Sequence, residues 1–128
     1  MTIQSLALAI ERYVRQHLPR YIKKLQTLCT IDSNSYYKPG LDAMADYLAT
    51  RLRTIGMNVT IIEHDMWGND LVGVVHGEGE GDVVLIGHTD TVYPAHFAPS
   101  SLRIEDDMIY GPGVCEYEKL YSFSSICS

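Results

Sequence analysis

Two residues of this chain have types and a spacing that could do chemistry together: His88 and Asp90, within Gly87-His88-Thr89-Asp90-Thr91-Val92-Tyr93-Pro94. An imidazole can ligate a metal or carry a proton. A carboxylate two positions on can hold the ring's other nitrogen, which orients the ring and raises its basicity. In an extended segment side chains alternate, so residues two apart face the same way and can serve one site. Alone, His-x-Asp is a weak signal, because a histidine after a strand is more often a hydrogen-bonded structural residue.

The remaining candidates read more plainly. His17, His64, His76 and His96 have no partner at ligand spacing and are expected to face solvent or to play structural parts. His64-Asp65 beside Trp67-Gly68-Asn69-Asp70 reads as a packed loop between two strands. Asp106-Asp107 reads as a hairpin tip. Ser33, Ser35, Tyr36 and Tyr37 could line a substrate approach, but a solvated loop is the preferred reading. Cys29, Cys115 and Cys127 are odd in number, widely spaced and without a Cys-x-x-Cys, so reduced structural thiols are expected. In Gly77-Glu78-Gly79-Glu80-Gly81-Asp82 the glycines alternate with carboxylates and precede a strand, which suits a hairpin turn and not a phosphate loop.

The elements that must carry these residues follow from periodicity. Ile3, Leu6, Ile10, Val14 and Leu18 recur every three or four positions along one helical stripe. Pro19 predicts a break, with a second helix over 19–28 turning Ile22, Leu25 and Leu28 inward. Residues 30–40 are dense in turn formers and predict a loop. From about Leu41, apolar residues at helical spacing continue to Ile55, and Gly56 stands where a left-handed cap is expected. Strands are predicted over 58–63, 71–76 and 82–87. The run Val83-Val84-Leu85-Ile86 reads as a buried strand that delivers His88 and Asp90 at its carboxyl end, where open α/β sheets form ligand sites. The fold class is thus α/β, with amino-terminal helices packed on a mixed sheet.

Composition bounds the function. With 128 residues, 46% hydrophobic and 20% charged, the chain can bury one core. A net charge of −6 without a dense basic cluster argues against nucleic acid as a partner. The apolar stretch 6–10 falls far short of the roughly 20 residues that span a bilayer and lacks the form of a signal peptide. No membrane partner and a cytoplasmic location are therefore expected.

The two blocks Gly87-His88-Thr89-Asp90-Thr91-Val92-Tyr93-Pro94 and Ile109-Tyr110-Gly111-Pro112-Gly113-Val114-Cys115, in this order and spacing, resemble the dizinc family that includes glutamate carboxypeptidase, acetylornithine deacetylase, succinyl-diaminopimelate desuccinylase and aminoacylase. The resemblance reaches back through the strands and helices to the segment 28–33. The Val92-Tyr93-Pro94 and Tyr110-Gly111-Pro112-Gly113 endings look closest to the glutamate carboxypeptidase branch. It implies hydrolysis of a peptide or N-acyl amino acid amide bond beside a carboxylate, two zinc ions as cofactors, and relatives that are often homodimers. It also implies roles: His88 as a zinc ligand, Asp90 as its supporting catalytic carboxylate, and Glu116 at the position of an aspartate that bridges both metals. Glutamate carries an extra methylene, which would displace a carboxylate that needs close placement.

After that position the resemblance ends. The family continues with a Met-Lys-Gly-Gly type of run, where this chain has Glu116-Tyr117-Glu118-Lys119-Leu120. A single inserted nucleotide converts codons for Asp-Met-Lys into Glu-Tyr-Glu and the start of a lysine codon. Residues 1–115 are therefore expected to be the first part of a zinc-hydrolase catalytic domain and 116–128 an out-of-frame tail, which resequencing the gene would test. On this reading the family's general-base glutamate, its remaining zinc ligands and its dimerisation domain are absent, and the chain alone has little activity. The alternative is a non-catalytic remnant or a small binding module.

Overall fold

The computed structural model describes residues 2–93, 102–106 and 108–114. Pro94, His96, Asp107, Cys115, Glu116, Cys127 and the expected tail 116–128 lie outside them. The described elements are α1 (Ile3–Cys29), α2 (Lys38–Thr54), β1 (Asn58–Ile62), β2 (Asp70–Val74), β3 (Arg103–Glu105) and β4 (Met108–Tyr110).

Helix α1 starts where Thr2 accepts a hydrogen bond from the Ser5 amide at 3.2 Å. It then runs through Pro19 without interruption, which corrects the expected break. A proline inside a helix removes one hydrogen bond, and its fixed φ is itself helical. Stopping there would instead leave four carbonyls and four amides to be satisfied elsewhere. The stripe is also less buried than its period suggests. Ile3, Leu6, Ile10 and Val14 are exposed, and only the last turns, ending in buried Cys29, reach the interior.

Helix α2 begins three residues before the expected Leu41, with Pro39 in its first turn, where a missing amide hydrogen is harmless. Its end is as expected. Gly56 has φ +87°, the Gly56 amide donates to Arg53 O at 3.0 Å and the Met57 amide to Leu52 O at 3.1 Å. These paired bonds close the helix through a glycine in the left-handed region.

Strands β1 and β2 form an antiparallel pair with Ile61 opposite Leu71 and Val59 opposite Gly73. Their half-buried residues alternate with exposed ones, and α2 lies on that face. A Cβ at Gly73 would stand 3.1 Å from Leu52 Cδ1, so the missing side chain lets the helix settle closely. The core comprises Cys29, Leu41, Met44, Ala45, Ala49 and Leu102. Strands β3 and β4 form a second antiparallel pair, with Asp106 at its tip in the left-handed region (φ 51°), a conformation aspartate tolerates.

The α/β class holds, but the single mixed sheet does not: the described strands form two separate two-stranded sheets. The expected strand over 82–87 is absent too, and with it the hairpin that Gly77-Glu78-Gly79-Glu80-Gly81-Asp82 was to turn. Val83, Val84, Leu85 and Ile86 are exposed. A continuous apolar run becomes a buried strand only with neighbours at its edges and layers on its faces, and the described residues provide neither.

Candidate functional site

The segment carrying His88 and Asp90 is held by the α1–α2 loop. Within that loop the Asn34 side-chain oxygen accepts from the Tyr36 amide at 2.9 Å, a local turn of the kind asparagine favours. Residues 34 and 91 then meet in an isolated parallel bridge. The Thr91 amide donates to Ser33 O at 2.8 Å and the Ser35 amide to Thr91 O at 3.0 Å. The Asn34 side-chain amide also donates to Tyr93 O. Ser33 and Asn34 are buried at 3% and 8% exposure, so these polar groups are enclosed with their hydrogen bonds made.

Upon this frame the two candidate residues come together. His88 Nδ1 lies 3.1 Å from Asp90 Oδ1 and 3.1 Å from Asp90 O. On the other side of the carboxylate, Ser35 Oγ donates to Oδ2 at 2.6 Å. The Ser35 hydroxyl holds the Asp90 carboxyl below the usual carboxylate range, with a smaller contribution from His88, while partial burial pushes the other way. The pair opens on a cavity of about 470 Å³. Leu25, Leu28, Met44 and Leu48 from the helices line it, with His88 and Asp90 among the residues of the site segment. An apolar hollow with a few convergent polar groups is the usual form of a small-molecule site.

The sequence-derived candidates thus divide. His88 and Asp90 are adjacent as expected, although no strand delivers them. Glu116 lies outside the described residues. Ser35 is a half-buried donor to Asp90 and Ser33 is buried, so the solvated-loop reading is corrected at both; Tyr36 is exposed and Tyr37 half-buried. His64 has a partner after all, with Nε2 2.9 Å from Asp70 Oδ2, and the His17 ring stacks on Tyr13 with centroids 4.1 Å apart. A pair such as His64 and Asp70 is not a metal site. Among the described residues no three His, Cys, Asp or Glu side chains gather as one would need.

Zinc bound for catalysis takes three protein ligands. Both Asp90 oxygens already have partners in Ser35 and His88, which suits a carboxylate that orients a ring. His88 remains as one candidate ligand, so the described residues do not by themselves make up a zinc site. No described helix is long and apolar enough to cross a membrane.

No protein-family profile matches the chain. Curated proteins do. Carboxypeptidase G2 of Pseudomonas sp. (strain RS-16) is 32% identical over 101 residues, covering 77% of this chain and 24% of that protein. Acetylornithine deacetylase of Vibrio parahaemolyticus is 29% identical over 114 residues, covering 83% of this chain and 30% of the relative. The corresponding enzyme of Vibrio campbellii is 28% identical with the same coverage. The matched region thus spans about a quarter to a third of the length of these relatives.

Proposed function

This chain belongs to the peptidase and deacylase family that includes carboxypeptidase G2 and the acetylornithine deacetylases, and from that premise we propose that it carries part of the site of a zinc-dependent hydrolase for amide bonds beside a carboxylate. The substrate class is a peptide or an N-acyl amino acid. His88 offers one ring nitrogen to zinc, and Asp90 orients the ring. The observation that carries this reading is the 3.1 Å contact between His88 Nδ1 and Asp90 Oδ1, made at the edge of an apolar cavity. A carboxylate on one imidazole nitrogen is the usual companion of a metal on the other.

The donor set falls short of a complete zinc site, so no catalytic step runs through the metal on the described residues alone. Their work is to bind apolar substrate surface and to present an oriented imidazole. The same shortfall favours the second reading, a non-catalytic remnant or small binding module.

Zinc titration of the 128-residue chain, together with hydrolysis assays on dipeptides and N-acyl amino acids, tests both readings. We expect weak zinc binding that His88→Ala abolishes and Asp90→Asn weakens about tenfold or more, with no hydrolysis above the buffer rate. Binding indifferent to His88→Ala would remove His88 from the site. Turnover by the chain alone would overturn the expected inactivity and the remnant reading together.

A further inference from the structure

We infer that Ser35 is a positioning residue, which sets the Asp90 carboxylate against the His88 ring and so decides which ring nitrogen keeps its proton. The functional meaning of this rests on the reading of His88 as a metal ligand; the geometry does not.

The carboxylate torsion of an aspartate is broad and roughly two-fold, so Asp90 needs a second contact to hold one orientation. Ser35 supplies it. Its hydroxyl lies 2.6 Å from Asp90 Oδ2 and 3.2 Å from Thr91 O. Having one proton to give, it gives it to the nearer and charged acceptor. Oδ1 then faces His88 Nδ1 at 3.1 Å, with Asp90 O at the same 3.1 Å. Both groups accept only. Two acceptors at Nδ1 favour the neutral ring that carries its hydrogen there and its lone pair on Nε2.

Ser35 can act this way because its backbone is pinned. Its amide donates to Thr91 O at 3.0 Å, while the Thr91 amide donates to Ser33 O at 2.8 Å. Buried Asn34 reaches Tyr93 O from the same loop. The hydroxyl therefore projects from a frame that moves with the site segment, and a change at Ser35 should register at the imidazole without dismantling the loop.

The test is the tautomer of His88, read by long-range nitrogen-15 NMR on the metal-free full chain at a fixed alkaline pH where the ring is neutral. Wild type should show mainly the Nδ1–H form. Ser35→Ala should lower the ratio of Nδ1–H to Nε2–H by roughly threefold or more, the scale of one lost hydrogen bond. Asp90 O still faces the ring, so the ratio should fall without inverting completely. Ser35→Thr, which keeps the hydroxyl, should restore it. If Ser35→Ala fails to fold, Ser35→Cys keeps the volume with a weak donor and should show the same fall. An unchanged ratio in a folded Ala or Cys variant overturns the inference. The two readings fail separately. A tautomer shift without zinc binding leaves Ser35 in its role and removes the metal, whereas zinc bound at His88 with a tautomer indifferent to Ser35 does the reverse.

Discussion

Lys38 gathers three acceptors where α2 begins. Its ammonium lies 2.9 Å from Asp42 Oδ2, 3.0 Å from Trp67 O and 3.3 Å from Asn69 Oδ1. The Asn69 amide in turn donates to Asp42 Oδ1 at 3.1 Å. Lys38 holds the Asp42 carboxyl below its ordinary range, with the Asn69 amide adding to this and desolvation opposing it. A carboxyl depressed in the folded state binds fewer protons there than in the unfolded chain. Its contribution is therefore complete above the unfolded value of about 3.9 and is lost as the pH falls through the folded value. Asp42→Asn should lower stability at neutral pH by at most about 1 kcal/mol, and urea midpoints of the two proteins should converge as the pH is taken below about 4. A gap that stays constant with pH would mean that the charge is not what Asp42 contributes. At this scale the contact between His88 and Asp90 was legible, because a spacing of two in one segment is a local property. Ser35 was not. It lies 55 positions from Asp90, and a serine in a turn-rich loop looks the same whether it meets water or a carboxylate.

Elements with internal signals were read well and those needing distant partners were not. The end of α2 is written in Gly56 and the first sheet in the alternation of residues 58–62 and 70–74, each decided by neighbours in the chain. Pro19 misled because a proline marks a cost and not a stop, and the cost here is one hydrogen bond in a helix of 27 residues. The start of α2 carries a tighter constraint. A Cβ at Gly40 would stand 1.6 Å from Asp32 O and 2.7 Å from Tyr37 Cδ1, so the helix abuts the backbone of the loop that holds Asp90. Gly40→Ala has to push that loop aside. It should destabilise the chain by about 1–3 kcal/mol, even though alanine is the better helix former. Chemical denaturation measures the loss, and a neutral or stabilising result would show that the loop yields freely and is not the frame it appears in Ser33, Asn34 and Ser35. Gly56→Ala, where the added Cβ meets nothing within 4 Å but φ is +87°, serves as a comparison in which strain acts without a clash.

For the molecule as a whole, surface is the deciding quantity. Large apolar side chains lie open among the described residues. Val83, Leu85 and Ile86 are 88%, 92% and 92% exposed, and Ile3, Leu6 and Ile10 extend an open stripe along α1. The composition of residues 83–86 predicts burial, yet composition does not say which surface will provide it, and the structure leaves these residues exposed. Four consecutive apolar residues outside any described ladder present open backbone and side chains together, the combination that templates pairing between chains. The 128-residue chain should therefore self-associate, with a light-scattering mass above the monomer that rises with concentration. Leu85→Lys should shift that distribution toward the monomer by placing charge in the run. Because residues 83–86 contribute no sheet hydrogen bonds within the chain, far-ultraviolet circular dichroism of the two proteins should agree at concentrations where both are monomeric. A wild-type chain that stays monomeric and melts in one cooperative transition would show that this apolar run finds cover within its own molecule. Association that persists unchanged in Leu85→Lys would move the contact to the open stripe of α1, where Leu6→Lys becomes the corresponding probe.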